Sequence, residues 1–216
     1  MHTWLPHLLH LSDPTLPVGA YTHSNGLETY VQQGLISNGS SAAAYVRNML
    51  EHNLPYNDAL FLVLAYRAAD DIAQLILLDQ ECTALKAPQE LRQASQKLGA
   101  RLHKLMAPLL SSDAATVVKH YCLVYGVYAA ALGIPLEEAL TAYYYNAATG
   151  MVTNCVKLVP LGQQEGQQIL FGLLSLLPQL VERTLKIPRQ LAGRCSFAFD
   201  IRSMQHERLY SRLYMS

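Results

Sequence analysis

Four histidines near the N terminus, His2, His7, His10 and His23, are the side chains whose types and spacing first suggest chemistry. His7 and His10 stand three residues apart, so their imidazoles share one face if the segment is helical. Such a pair can hold a first-row metal weakly, but no HExxH motif and no cysteine pair completes a site. Metal ligands therefore stay unknown, and we expect no tightly bound cofactor.

The loop "SDPTLPVGAYTHSNGLE", residues 12–28, contains the one serine that neighbours a histidine, Ser24 beside His23. Two prolines and two glycines in this span predict a rigid, irregular loop, with Ser24 able to cap the helix that follows. No GxSxG pattern is present, and adjacent residues on a turn rarely face each other. The loop is therefore interpreted as structural or partner-binding, without a nucleophile.

An enzymatic alternative stays open at this point. A helical, metal-dependent hydrolase could use His7, His10 or His120 together with carboxylates such as Asp13 or Glu28. This alternative requires a metal ion held by the isolated chain.

Four cysteines stand far apart, without a CxxC pair or a histidine cluster around them: Cys82, Cys122, Cys155 and Cys195. This spacing predicts neither a zinc site nor a disulfide framework. We expect small core residues in a reducing compartment.

Charge and composition limit the classes of partner. The chain has 216 residues, 16 basic and 16 acidic, so its formal net charge is zero, and no global field attracts nucleic acid or an anionic membrane. Hydrophobic residues make up 51% and charged residues 15%, so apolar surface must be buried internally or against partners. The N terminus lacks the basic region of a signal peptide, and the longest uncharged stretch, 121–136, is too short to span a membrane. We expect a cytoplasmic protein that binds no nucleic acid or membrane.

Helical periodicity runs through almost the whole chain, with prolines where helices should begin or end. No run of alternating polarity predicts a strand. The fold class is therefore all-α, a single-domain bundle of about ten helices over 1–216. The predicted helices are 3–11, 24–34, 40–53, 56–68, 70–85, 88–110, 113–132, 135–158, 162–186 and, conditionally, 203–213.

The C-terminal tail, 195–216, has a distinct composition. After Pro188 the chain carries five arginines and no lysine, which favours fixed bidentate or stacked contacts. If the helix extends over 203–214, like residues lie one turn apart: Leu209 and Leu213, Tyr210 and Tyr214, Arg208 and Arg212. This pattern predicts a docking helix, on the chain's own core or on a partner.

The segment "LGQQEGQQ", 161–168, lacks the Lys and Ser/Thr of a phosphate-binding loop. Its glutamines, beginning with Gln163, suit a protein interface or a polar helix face. Lys157, one turn earlier, either extends from a core face or contacts an acidic partner.

Three motifs together resemble the UreF family of urease accessory proteins: "SDPTLPVGAYTHSNGLE" at 12–28, "VKLVPLGQQEGQQIL" at 156–170 and "MQHERLYSRLYMS" at 204–216. The segments "ELRQASQKLGARL" at 90–102 and "YGVYAAALGIP" at 125–135 look like the same family. The resemblance covers nearly the whole chain in order, and none of its motifs is catalytic.

The resemblance implies a non-catalytic, usually dimeric all-α chaperone that helps to insert nickel into apo-urease, with nickel bound only transiently. It implies binding to UreD (UreH) and then to the GTPase UreG. The N-terminal loop 1–28 and the tail 195–216 are the implied UreD-binding segments, and the segment around Lys157, with Gln163, is connected with UreG. The implied residues of the two ends are Pro17, Gly19, Ser24, Gly26, Glu28, Arg202, His206, Glu207, Ser211, Arg212, Leu213 and Tyr214. Tyr210, which belongs to the docking pattern of the tail, is a further candidate for partner binding.

Overall fold

A computed structural model describes residues 3–13, 15–19, 24, 26–110, 112–210 and 212–214. Within these ranges the chain forms α-helices and no strand, which confirms the predicted all-α fold. Short 3₁₀ turns lie at Leu54–Tyr56 and Arg189–Leu191, and a π-helical turn at Met49–Asn53 continues the third helix. The helices are α1 (Leu5–Leu11), α2 (Leu27–Gln32), α3 (Gly39–Asn48), α4 (Asp58–Arg67), α5 (Ile72–Leu85), α6 (Gln89–Met106), α7 (Asp113–Thr116), α8 (Tyr121–Ala131), α9 (Leu136–Leu158), α10 (Gln163–Leu174), α11 (Leu177–Leu185) and α12 (Phe197–His206).

Local capping explains where several helices begin. Asn38 and Ser41 form a reciprocal capping box at α3, and the Asp71 side chain accepts from the Gln74 amide at α5. The Ser112 side chain accepts from the Ala115 amide at α7. Ser112 is therefore the N-cap residue of α7.

The predicted helix over 113–132 is wrong, because it consists of two helices. α7 ends at Thr116, and His120 is extended just before α8 begins. The backbone amides of Lys119 and His120 donate to Asp79 Oδ1, at 2.7 and 3.3 Å, in place of helical carbonyls. A carboxylate from α5 therefore interrupts the helix.

The predicted helix over 162–186 is also two helices, α10 and α11, which meet at Ser175 and Leu176. Pro178 lies in the first turn of α11. Proline has no amide hydrogen and its ring clashes with the carbonyl four residues earlier, so a continuous helix is disfavoured there.

Helices α4 and α8 cross at the centre of the hydrophobic core. Leu62 and Val63 of α4 and Tyr125 of α8 are fully buried. Gly126 permits the close approach, since a Cβ at this position would lie 2.6 Å from the Leu62 carbonyl oxygen. The core extends from this crossing to the flanking helices, including α6 and the long α9.

A partly enclosed ion pair joins the start of α4 to the residue after α5. Lys86 Nζ donates to both oxygens of Asp58, at 2.9 and 3.0 Å. Burial opposes ionisation of Asp58, but the adjacent Lys86 ammonium outweighs it and holds the pKa of Asp58 below its usual value.

Three cysteines are buried as expected, Cys82, Cys122 and Cys155. Burial raises the pKa of the Cys155 thiol to about 12, so this side chain is a neutral core group. Cys195 differs from the expectation, because it is exposed and its Sγ donates to Asp200 Oδ2 at 2.9 Å. Within the described residues, no helix has both the length and the apolar character that crossing a bilayer requires.

Replacing Gly126 by alanine is expected to lower the free energy of unfolding by about 1 to 3 kcal/mol, because the new methyl group overpacks the α4–α8 crossing. Gly150→Ala is the matched control. That glycine is also inside a helix, and a Cβ there meets nothing within 4 Å. The control should raise stability by up to about 1 kcal/mol through helix propensity. Urea unfolding measures the free energy of unfolding of both variants. Equal changes in the two would contradict the close approach of α4 and α8 at Gly126.

Replacing Asp58 by asparagine is expected to cost about 3 kcal/mol at pH 7, because it leaves the Lys86 charge partly buried without its partner. The folded-state pKa of Asp58 is lowered, so its contribution is present at neutral pH and is lost as the pH falls through that pKa. The stability difference between wild type and variant should therefore shrink between about pH 5 and pH 2. Urea midpoints measured across this range test it, and a constant difference would contradict the ion pair.

Candidate partner-binding site

Helix α12 has one buried and one exposed face. Its inner face, with Phe199, Ser203 and His206, packs on α2 and α6. Its outer face exposes apolar side chains at spacings of four and three residues: Phe197, Ile201 and Met204, which are 76%, 50% and 42% exposed. An apolar face that remains in solvent is characteristic of a surface that another protein covers.

Gly26 allows α12 to approach α2. Its φ of 78° lies in the left-handed region that favours glycine. A Cβ at Gly26 would lie 2.8 Å from Ser203 Oγ and 3.2 Å from Ser203 Cα. The N-terminal loop therefore meets the C-terminal helix at a position where only glycine fits.

The imidazole of His206, the last residue of α12, lies between two carboxylates from distant parts of the chain. Its Nε2 is 3.2 Å from Glu28 Oε2 in α2, and its Nδ1 is 2.7 Å from Glu90 Oε2 in α6. His206 is fully buried. Because ionised carboxylates only accept hydrogen bonds, this geometry is fully satisfied when both ring nitrogens donate.

The same two carboxylates hold the end of the tail. Glu28 Oε1 accepts the backbone amide of Leu213 at 2.8 Å, and Glu28 Oε2 accepts that of Tyr214 at 3.3 Å. Arg212 Nη1 donates to Glu90 Oε1. Burial, followed by the nearby Glu28 charge, raises the pKa of Tyr214. We call the side chains of Glu28, Glu90, His206 and Arg212, with these two amides, the terminal clasp.

The predicted helix over 203–213 is wrong, because α12 ends at His206. Glu207 turns away and its Oε1 accepts the amides of Gln89 and Glu90, at 3.1 and 3.4 Å, at the start of α6. The amides of residues 213 and 214 bind Glu28 instead of carbonyls one turn earlier. The predicted leucine, tyrosine and arginine stripes of a docking helix therefore do not form, and Tyr210 and Leu213 are 106% and 82% exposed.

Most of the residues singled out at the two ends of the chain converge at the clasp. They are Gly26, Glu28, His206, Glu207, Arg212, Leu213 and Tyr214. Arg202 lies beside it, with Nη1 2.7 Å from Gln205 Oε1 and its guanidinium 6.0 Å from the centre of the Tyr30 ring. Ser24 is buried just before α2, and Ser211 lies outside the described residues.

The N-terminal loop contacts α6 at a second point. Arg101 Nη1 donates to the Val18 carbonyl at 3.1 Å, and a Cβ on Gly19, whose φ is 79°, would collide with the Arg101 guanidinium. Pro17 is exposed next to this contact. Helix α6 therefore supports both ends of the chain, the loop through Arg101 and the tail through Glu90.

Lys157 and Gln163 belong to a different surface. Lys157 is exposed in the last turn of α9, and Gln163 is the exposed first residue of α10. Phe171 of α10 is 78% exposed. The exposure of Lys157 agrees with both interpretations of this residue: a side chain that extends from the core face into solvent, and a contact for an acidic partner.

The residues of the hydrolase alternative do not form one site. His7 and His10 are exposed on α1. His120 is buried, with Thr83 Oγ1 at 2.9 Å and Ser95 Oγ at 3.1 Å from its ring nitrogens. Asp13 accepts from the Thr15 amide and hydroxyl, and these bonds lower the pKa of Asp13. In the part of the chain that the structure describes, no three His, Cys, Asp or Glu side chains are placed to hold a metal ion.

Comparison with known proteins agrees with the resemblance. The UreF family model matches residues 36–174. The urease accessory protein UreF of Actinobacillus pleuropneumoniae serotype 3 is 48% identical over 97% of this chain and 97% of its own length. The UreF protein of Haemophilus influenzae is 43% identical over 97% of this chain and 94% of its own length. The UreF protein of Sporosarcina pasteurii is 34% identical over 88% of this chain and 100% of its own length.

Replacing Glu28 by alanine is expected to lower the free energy of unfolding by about 2 to 4 kcal/mol, because His206 and two backbone amides lose their acceptor in a buried site. The control is Glu138→Ala, an exposed acid in the first turn of α9, which should cost no more than about 0.5 kcal/mol. Urea unfolding at neutral pH measures the difference. Similar stabilities for the two variants would show that the clasp does not stabilise the fold.

Proposed function

Because this chain belongs to the UreF family of urease accessory proteins, we propose that it is a non-catalytic adaptor in urease maturation. It binds UreD (UreH) through the terminal clasp and the outer face of α12, and it recruits the GTPase UreG to a second surface. The assembly then delivers nickel to apo-urease in the cytoplasm. Nickel is the cargo, held transiently, and the adaptor acts as a homodimer.

The observation that carries this proposal is the convergence of the two chain ends. Glu28 from the N-terminal side and His206, Arg212, Leu213 and Tyr214 from the C-terminal side meet in one set of hydrogen bonds. A partner that binds one end therefore meets the other. This supports one UreD site made of both segments, 1–28 and 195–216.

The surface around the clasp has the composition of a binding site. Phe197, Ile201 and Met204 form an apolar stripe on α12, and Tyr210 and Leu213 of the tail are more than four-fifths exposed. Aromatic and arginine side chains contribute most strongly when an interface excludes water from them. The clasp supplies the fixed polar base on which these exposed groups are presented.

The surface at the end of α9 and the start of α10 is the proposed contact for UreG. Lys157 and Gln163 are exposed there, and Phe171 adds an exposed aromatic ring on α10. A lysine and a row of glutamines suit a polar interface of the kind that transient complexes use. Separate surfaces for UreD and UreG allow both proteins to bind at once.

Arg212→Ala is expected to weaken the complex with UreD about tenfold, because it removes a charge-assisted hydrogen bond to Glu90. Far-UV circular dichroism should show unchanged helical content, since Arg212 lies outside every helix. Arg47→Ala is the control, because Arg47 is an exposed arginine of α3 paired with Glu51. Co-purification and titration with UreD measure the effect.

Truncation after Asp200 is the stronger test. The shortened chain loses His206, Arg212 and both amides of the clasp, and should neither co-purify with UreD nor support urease activation. A truncated chain that still binds UreD and still activates urease would refute the role of the tail.

A further inference from the structure

We propose that Cys82 and Cys122 form a modification site, a buried thiol pair that hydrogen peroxide oxidises to a disulfide. Cys82 lies in α5 and Cys122 in the first turn of α8, and both side chains are fully buried. The two side chains are hydrogen-bonded to each other. The pair lies in the body of the bundle, and its oxidation is independent of the proposed function.

Two contacts of His120 fix the start of α8 against α5, one on either side of Cys82. Asp79, three residues before Cys82, accepts the backbone amide of His120 at 3.3 Å. The hydroxyl of Thr83, the residue after Cys82, lies 2.9 Å from Nε2 of the His120 ring. Because Cys122 follows His120 by two residues, these contacts hold it beside Cys82.

The surroundings of Cys82 favour the thiolate, which is the reactive form of cysteine. The hydrogen bond from the Cys122 thiol lowers the pKa of Cys82 in spite of its burial, and the His120 side chain and the Lys86 ammonium act in the same direction. Burial raises the pKa of Cys122, so this thiol keeps its proton and can donate it. Cys82 is therefore the attacking thiol and Cys122 the resolving one.

The other two cysteines have the opposite environment. Burial raises the pKa of Cys155 to about 12. Cys195 is exposed, but the hydrogen bond that it donates to Asp200 raises its pKa. Both side chains are therefore held as thiols, so exposure alone does not decide which cysteine reacts first.

A cavity of about 280 Å³ brings a small oxidant close to the pair. Its lining includes Asp58 and Lys86, and it reaches the surface at the exposed Arg194. The Cys122 side chain is hydrogen-bonded to Asp58 in this lining. A water molecule takes up about 30 Å³ in the liquid, so hydrogen peroxide, which is little larger, fits the cavity.

The oxidation consumes one peroxide for each disulfide. The Cys82 thiolate attacks one peroxide oxygen, the O–O bond breaks, and the departing hydroxide takes up the proton that Cys82 released, leaving a sulfenic acid and water. The Cys122 sulfur then attacks the Cys82 sulfur, the S–O bond breaks, and the departing hydroxide takes the Cys122 proton. Two thiols lose two electrons and two protons, and the peroxide becomes two waters. Thiol reductants of a reducing compartment reverse the bond.

Peptide mapping of the full chain after treatment with hydrogen peroxide at neutral pH tests the site. Free thiols are blocked with N-ethylmaleimide in denaturant before digestion and mass spectrometry. We expect a linked pair of peptides that contain Cys82 and Cys122, which dithiothreitol separates, while Cys155 stays alkylated. Cys195 should be oxidised at least about tenfold more slowly, because less of it is thiolate. Loss of Cys195 while Cys82 and Cys122 are still alkylated would overturn the proposal.

Two substitutions test the roles of the two thiols. Cys122→Ala removes the resolving thiol, so dimedone, which traps sulfenic acids, should label Cys82 in this variant after peroxide treatment. Absence of that label in the folded variant would contradict the attacking role of Cys82. Cys155→Ala is the matched control, because Cys155 is also buried, and it should form the link as fast as the wild type. If Cys122→Ala does not fold, the peptide map of the wild type still decides.

Discussion

The buried imidazole of His206 between two carboxylates is the interaction on which the organisation of the site depends. Burying polar and charged groups is costly unless they are paired and hydrogen-bonded. Here the side chains of Glu28 and Glu90 are largely buried, and His206, Arg212 and two backbone amides form hydrogen bonds with their carboxylates. These groups therefore depend on one another, because removing any one of them leaves a buried group without its hydrogen-bond partner.

Because these groups depend on one another, the surrounding helices must place Glu28 and Glu90 at fixed positions. α2 must bring Glu28 against α12, and Gly26 provides the space by having no side chain. α6 must hold Glu90 at a fixed distance from the core, and Gly99 lets it pack closely against the backbone at Lys119 and Tyr121. The crossing of α4 and α8 anchors this whole side of the bundle. The core therefore contributes to the terminal clasp mainly by fixing the positions of Glu28 and Glu90.

Local sequence signals predicted the helices well but not their interruptions. Helical periodicity depends on near neighbours, so the all-α fold followed from it. The break before α8 depends on Asp79, which is about forty residues earlier in the chain, and no local pattern reveals it. The tail helix was predicted from like residues spaced four apart, yet Glu28, 185 residues away from Leu213, takes the amides that this helix would need.

The residues of the site also fall into two groups, those that the sequence indicated and those that only the structure shows. Glu28, His206, Arg212, Leu213 and Tyr214 were singled out by the family resemblance, and the structure brings them together. Glu90 was not singled out, because an acid in a helix's first turn is common and its partners lie 116 and 122 residues away. The exposed Phe197, Ile201 and Met204 stripe also needed the structure, since it is the packing of Phe199 and Ser203 that defines the inner face of α12.

The central claim is that the two chain ends form one surface for UreD. Hydrogen exchange of the chain, alone and with UreD, tests it most directly, because protection is read at each segment. We expect added protection in 15–28 and 197–214, with the α9–α10 surface at 157–171 unchanged. Protection at 157–171 with both chain ends unchanged would contradict the claim.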